Sequence, residues 1–241
     1  MLFRSKQIGS KYGFIANGLF QSEEEIANSA TVKGYKALPG YIKYVDRNGD
    51  GIITAAQDQG YVGKSATPKH TGSLNLFGNW KGFDFDLLFS WGLGNVVALT
   101  GQYTASGSAG TQDNTSFTKP FYHGGNSPTF LVENSWTPEH TNAEFPRLEI
   151  TGPSNNNGYS STFWYRNGNY MRLKTAQIGY NFPKKWLNPA GIEGLRLYVE
   201  GYNLLTFSGL TKYNIDPESP AVNNGYYPQQ RTYTLGVKLT F

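Results

Sequence analysis

Strict alternation of apolar and polar residues, sustained over segments of about 9–12 residues, most narrows what this chain can fold into. In FDFDLLFSW, Phe83, Phe85, Leu87, Phe89 and Trp91 fall on one side; Asp84, Asp86, Leu88 and Ser90 fall on the other. A period of two belongs to a strand, because successive Cβ atoms point to opposite faces. The preceding TGSLNLFGNW sets Leu74, Leu76 and Trp80 against Ser73, Asn75 and Asn79. Lys81-Gly82 between the two reads as a tight hairpin turn. In TYTLGVKLTF, Tyr233, Leu235, Val237, Leu239 and Phe241 share a face, with Thr234, Gly236, Lys238 and Thr240 opposite.

Further strands are predicted in NYMRLKTAQIGYNF and GLRLYVEGYNLLTF. The former needs a bulge near Thr175 to keep Leu173 and Ile178 on one face. An earlier strand is predicted in KYGFIANGLF. The predicted strands are near 11–20, 70–80, 83–92, 169–182, 194–207 and 231–241, separated by long connections near 21–68, 94–168 and 208–230. Such strands are long enough to cross a bilayer when tilted. Short and long connections alternate, as in outer-membrane barrels with short periplasmic turns and long extracellular loops. The fold class is therefore all-β: an antiparallel transmembrane β-barrel segment of about six strands, its C-terminus periplasmic and its long loops extracellular. Six strands are too few to close a barrel, for which about eight is the minimum, so the chain is expected to need more strands.

Composition agrees. Gly is abundant at 29 residues, aromatics reach 15% and charged residues only 16%, which suits strands, turns and interfacial girdles. A soluble β-sandwich shares much of this. The net charge of 21 − 17 = +4 is spread along the chain without a basic cluster, which argues against nucleic acid as a partner. There is no Cys, hence no disulfide framework or thiolate zinc site. No apolar run approaches the ~20 residues of a membrane helix. Met1 to Lys6 lacks the apolar core of a signal peptide. The chain is thus expected to be either processed or part of a longer protein.

One motif suggests a metal. DRNGDGIITAAQD places Asp46, Asn48 and Asp50 at positions 1, 3 and 5 of a calcium loop, Gly51 at the sharp turn and the Ile52 carbonyl at position 7. Position 12 is Gln57, and the carboxylate follows one later at Asp58. Asp46, Asn48, Asp50, Ile52 and Asp58 are the candidate Ca2+ ligands; an Asx/Gly turn without metal accounts for the same residues. Trp164 and Tyr165, in an aromatic cluster with Phe163, are candidate substrate-stacking residues, with an interfacial girdle as the alternative. His70, His123 and His140 have no metal-ligand spacing, no G-x-S-x-G occurs, and residues 101–110 read as flexible loop rather than a phosphate loop. Asp84 and Asp86 fit a lumen-facing strand side better than an acid/base pair. No enzyme is predicted.

Several stretches together resemble one family, the SusC/RagA-type TonB-linked outer-membrane proteins of Bacteroidota. They are YGFIANGLFQSEEEI; IKYVDRNGDGIIT with the hairpin VGKSATPKHTGSLNLFGNWKGFDFDLLFSWGLGN; NSWTPEHTNAEFPRL; and NGNYMRLKTAQIGYNFP, LRLYVEGYNLLTF and YYPQQRTYTLGVKLTF. They span nearly the whole chain in family order. The resemblance implies roughly the last quarter of a plugged barrel of about 22 strands. It also implies TonB-powered import of oligosaccharides or peptides under a SusD-like surface lipoprotein. The family's plug and TonB box have no match in the chain. Tyr233, Leu235, Val237, Leu239 and Phe241 match the C-terminal pattern read by the barrel assembly machinery. The alternative reading is a soluble, β-rich, calcium-dependent carbohydrate-binding module.

Overall fold

The computed structural model describes residues 8–99, 103, 121, 126–149, 156–219 and 229–241. Residues 1–7, 101–102, 104–110 and His123, considered above, lie outside the described residues. The chain divides into two units, residues 1–67 with 96–166 and residues 68–95 with 167–241.

The strands in chain order are β1 (Lys11–Gly13), β2 (Ala16–Leu19), β3 (Thr31–Val32), β4 (Ile42–Tyr44), β5 (Ile52–Ile53) and β6 (Gly60–Gly63). There follow β7 (His70–Trp80), β8 (Phe83–Leu93), β9 (Val96–Ala98), β10 (Tyr165–Asn167), β11 (Tyr170–Asn181), β12 (Gly194–Ser208) and β13 (Thr232–Thr240). Among the described residues four short α-helices, α1 (Glu23–Ala27), α2 (Ala55–Asp58), α3 (Thr129–Glu133) and α4 (Lys184–Leu187), sit in the connections. No described helix is long and apolar enough to cross a membrane.

The second unit is one antiparallel sheet in the order β13-β12-β11-β8-β7. Its hairpin turn is Lys81-Gly82, both at positive φ (49° and 90°). That is the type I′ combination whose twist matches the flanking strands, and Gly82 adopts it without Cβ strain. The bulge falls where the alternation requires it: the register shifts between Leu173 and Thr175 against both neighbours of β11. Lys174 absorbs the extra residue, so Leu173 aligns with Phe89 and Leu205 while Ile178 aligns with Phe85 and Val199. Cross-strand rows on one face are consequently apolar, such as Phe85, Ile178, Val199 and Leu235. Rows on the other face are polar, such as Asp86, Gln177, Glu200 and Thr234.

Among the described residues the expected first strand, near 11–20, does not join this sheet, which has five strands there. The segment breaks into β1, paired with β6, and β2, paired with β4. The reason is visible in the residues. Phe14-Ile15 and Leu19-Phe20 put apolar side chains on both faces, and Phe14, Leu19 and Phe20 are all buried. A lipid-facing strand keeps its apolar residues to one side.

The first unit packs around these residues. Ile42, Ile53, Leu131 and Phe145 are fully buried, and the Phe145 ring stacks on Tyr103 at 5.5 Å and 12°. Gly40, at φ 86°, lies against the Trp136 indole, where a Cβ would approach within 2.6 Å. β3 and β5 run parallel, the one such pair among the described strands.

Candidate functional site

The first functional surface is the apolar face of the large sheet. The residues Tyr233, Leu235, Val237, Leu239 and Phe241 all stand on it, from 46% (Leu239) to 82% (Phe241) exposed. Leu74, Leu76, Phe85, Ile178, Val199, Leu205 and Phe207 are also exposed there. Contiguous apolar surface on this scale marks a membrane or partner contact. At one end of the sheet the rings gather into a belt. Phe83 lies 4.7 Å from Tyr180, Tyr180 lies 5.1 Å from Phe182, and Phe182 lies 6.4 Å from Trp186. Trp80, with the Lys81 ammonium 4.7 Å from its ring, and Phe241 belong to the same end. Along β8, Trp91 stands eight residues beyond Phe83. At ~3.3 Å per residue that is about 26 Å of strand, which at a barrel tilt of ~40° rises about 20 Å, most of a lipid-facing band of ~25 Å.

The polar face is cross-linked. Asp84 accepts from Arg196 Nε at 2.9 Å and from Asn181 Nδ2 at 2.6 Å, and Arg196 Nη2 donates to Gln177 at 2.8 Å. Asp84 is therefore held as the partner of a guanidinium rather than as half of an acid/base pair.

A second polar cluster was not legible from the sequence. Arg172, 2% exposed, projects from the polar side of β11 and takes both oxygens of Asp216 at 2.8 Å. Its Nη1 pairs with Glu218 at 2.7 Å and also donates to Gln229. Lys174 Nζ lies 3.0 Å from Glu218, and the Tyr170 hydroxyl donates to it at 3.3 Å. Two acids of the β12–β13 connection are thus fastened to β11 by two cations. Asp216 and Glu218 lie more than forty residues from Arg172, and no local pattern announces their meeting.

The acidic turn is partly assembled. Asp46 accepts from the N–H groups of Gly49 and Gly51, both at 2.7 Å. These bonds, that from Gly51 foremost, hold the Asp46 carboxyl below the usual carboxylate range. Asp50 accepts from Ile52 N at 2.9 Å and from Asn48 Nδ2 at 2.8 Å. Arg47 does not neutralise them; its Nη1 donates to the Gln59 carbonyl at 2.8 Å. Asp58 meets this turn at its backbone. It is fully buried and accepts from Arg47 N at 2.8 Å and Thr54 N at 2.7 Å. Both of its oxygens close the loop backbone. No group of three or more His, Cys, Asp or Glu arranged for a metal occurs among the described residues. The donor chemistry of Asp46, Asn48, Asp50 and the Ile52 carbonyl suits a hard cation; the position of Asp58 does not.

The aromatic pair does not form a stacking platform. Trp164 is buried and donates its indole N–H to the Asn157 carbonyl at 2.7 Å. Tyr165 is half-buried, its hydroxyl 3.0 Å from Ser160 Oγ. Trp164 belongs to the interior of the first unit and offers no open ring face. Nearby, Phe14 packs against Tyr159 at 5.5 Å and Tyr44 at 5.0 Å. Burial, together with a hydrogen bond to Tyr35, pushes the Tyr159 phenol up to about 12.

No family model matches the chain. Among curated proteins it is 31% identical over 255 residues to TonB-dependent receptor P3 of Formosa agariphila, covering 100% of this chain and 23% of that protein. It is 29% identical over 240 residues to TonB-dependent receptor P26 of the same organism, covering 93% of this chain and 22% of the relative. Among solved structures, that of the RagAB peptide transporter superposes with a TM-score of 0.63 at 23% identity, over 96% of this chain and 23% of that one. The RagAB peptide importer in its "open-open" state gives 0.61 over 100% of this chain. The chain spans less than a quarter of the length of the curated relatives named here.

Proposed function

Because the chain belongs to the SusC/RagA-type TonB-dependent receptors, we propose that it forms the C-terminal wall segment of an outer-membrane barrel that imports nutrients. The cargo class is oligosaccharides or peptides, delivered with a SusD-like surface lipoprotein and drawn inward through the TonB complex. The observation that carries this reading is the sheet itself: one face continuously apolar and ringed at one end, the other mainly polar, Phe77 apart, and cross-linked. Lipid fits the first face and a hydrated lumen the second. A soluble module would leave the apolar face against water. In this reading the belt end, with its two-residue hairpin turn, faces the periplasm, and the longer connections face outward.

The exposed row ending at Phe241 supports a role for this strand as the handle of the barrel assembly machinery. Fractionation of cells carrying the parent receptor tests both points. The intact protein is expected in the outer membrane as a heat-modifiable species. Deleting Phe241 is expected to lower its surface level several-fold while leaving total synthesis unchanged. Recovery of the intact protein as a soluble species overturns the barrel reading; undiminished surface display of the deletion overturns the assembly role.

The same reading includes a calcium ion at the Asp46–Ile52 turn. Asp46, Asn48, Asp50 and the Ile52 carbonyl supply its oxygens, while Asp58 closes the loop rather than ligating. With so few ligands the affinity is expected in the ~0.1–1 mM range of extracellular calcium modules. Calorimetric titration of the intact receptor should show calcium uptake that Asp46→Ala removes. Equal uptake by the two proteins would rule the site out.

A further inference from the structure

The first unit contains a cavity of about 290 Å3, lined by Phe14, Val32, Ile53 and Tyr159, with Lys33, Thr54, Ala55 and Gln59 completing it. Phe14, Val32 and Ile53 are buried side chains, so the floor is apolar and fixed. One wall continues the acidic turn: Thr54 N is clamped by the buried Asp58 carboxylate, and Thr54 Oγ1 bonds Gln57 at 3.1 Å. The cavity is therefore built into the unit's backbone rather than left between loose side chains.

Its chemistry is asymmetric. Lys33 is the charged residue of the lining, and no acid is among the lining residues. Lys33 has an exposed side chain and no ion-pair partner among the described residues. The Gln59 amide adds a second donor. The volume lies at the small end of ligand pockets, enough for one ring or one branched side chain. Apolar burial supplies binding energy while a single cation selects by sign.

We propose that this cavity, between Phe14, Ile53 and Tyr159 and beside Lys33, binds a ring-sized apolar carboxylate, its apolar body on the aromatic floor and its anionic group on the Lys33 ammonium. The lining residues all belong to the first unit, the sheet to the second, and the proposal stands whether or not the receptor's cargo is a glycan. Such a carboxylate exists either as a free acid or as the C-terminus of a peptide.

Ligand-observed NMR on the intact receptor in detergent tests it. The probes are phenylacetate, the tripeptide Gly-Gly-Phe, and the neutral phenylacetamide. Saturable binding of either carboxylate, with the amide at least tenfold weaker, is the expected result. Binding of phenylacetate alone assigns the site to free acids; binding of the tripeptide assigns it to peptide ends as well. Lys33→Gln is expected to weaken the carboxylates at least tenfold and bring them level with the amide. Lys36→Gln, three positions on, should change nothing. Lys33 is an exposed residue, so this variant keeps its fold; heat-modifiability on gels provides the check. Absence of saturable carboxylate binding, equal binding of the amide, or indifference to Lys33→Gln each overturns the proposal.

Discussion

Residues 1–241 placed by themselves in liposomes are expected to give no solute flux and no heat-modifiable barrel band. The reason lies at the two margins of the sheet. β7 pairs only with β8, and β13 only with β12, among the described residues. β7 has 11 residues and β13 has 9, so roughly half of their backbone N–H and C=O groups face an open edge. In hydrocarbon each such group costs several kcal/mol, and the edges together cost on the order of tens of kcal/mol. Curling the sheet shut does not offset this, because five strands fall short of the minimum of about eight. Closure needs further strands, and the curated relatives are over four times the length this chain spans. Osmotic swelling of the loaded liposomes is the measurement; swelling above that of empty ones would show that this stretch closes unaided.

Arg172→Ala in the intact receptor is expected to be the most damaging single change on the polar face. Removing the guanidinium takes the cation from both Asp216 and Glu218, leaving the partly exposed Lys174 and the Tyr170 hydroxyl beside Glu218. Breaking a buried ion pair from one side costs about 3–5 kcal/mol, because the remaining charge is left unpaired. The urea midpoint in detergent should fall, and protease should cut the connection between β12 and β13 far sooner. Replacing all three groups together, as Arg172→Leu with Asp216→Leu and Glu218→Leu, should cost less than Arg172→Ala, since the one charge then left without its partner, Lys174, is open to solvent. A single variant milder than the triple one would mean that the cluster packs the loop by shape rather than by charge.

The contrast between these two features shows what was readable. Phe83 to Trp91 and Tyr233 to Phe241 declared their faces through a period of two, which needs only the residue next door. The bulge near Thr175 was equally readable, because Leu173 and Ile178 cannot share a face without it. The segment near 11–20 does hold strands, β1 and β2, but not in the large sheet: of its paired apolar residues Phe14-Ile15 and Leu19-Phe20, Phe14, Leu19 and Phe20 are buried in a core. Asp46, Asn48 and Asp50 did fall together in one turn, as their spacing required. Asp58 did not join them, because the extra residue before it let its carboxylate reach the Arg47 and Thr54 amides instead.

The sequence by itself determined the faces, lengths and turns of the strands in the large sheet, since alternation and turn chemistry act between neighbours along the chain. Only the tertiary structure decided which strands share that sheet, that Asp58 accepts from the Arg47 and Thr54 amides, that Trp164 is interior, and that Arg172 meets Asp216 and Glu218. Those outcomes depend on which distant backbone groups and charges are desolvated together, a quantity set by packing rather than by spacing.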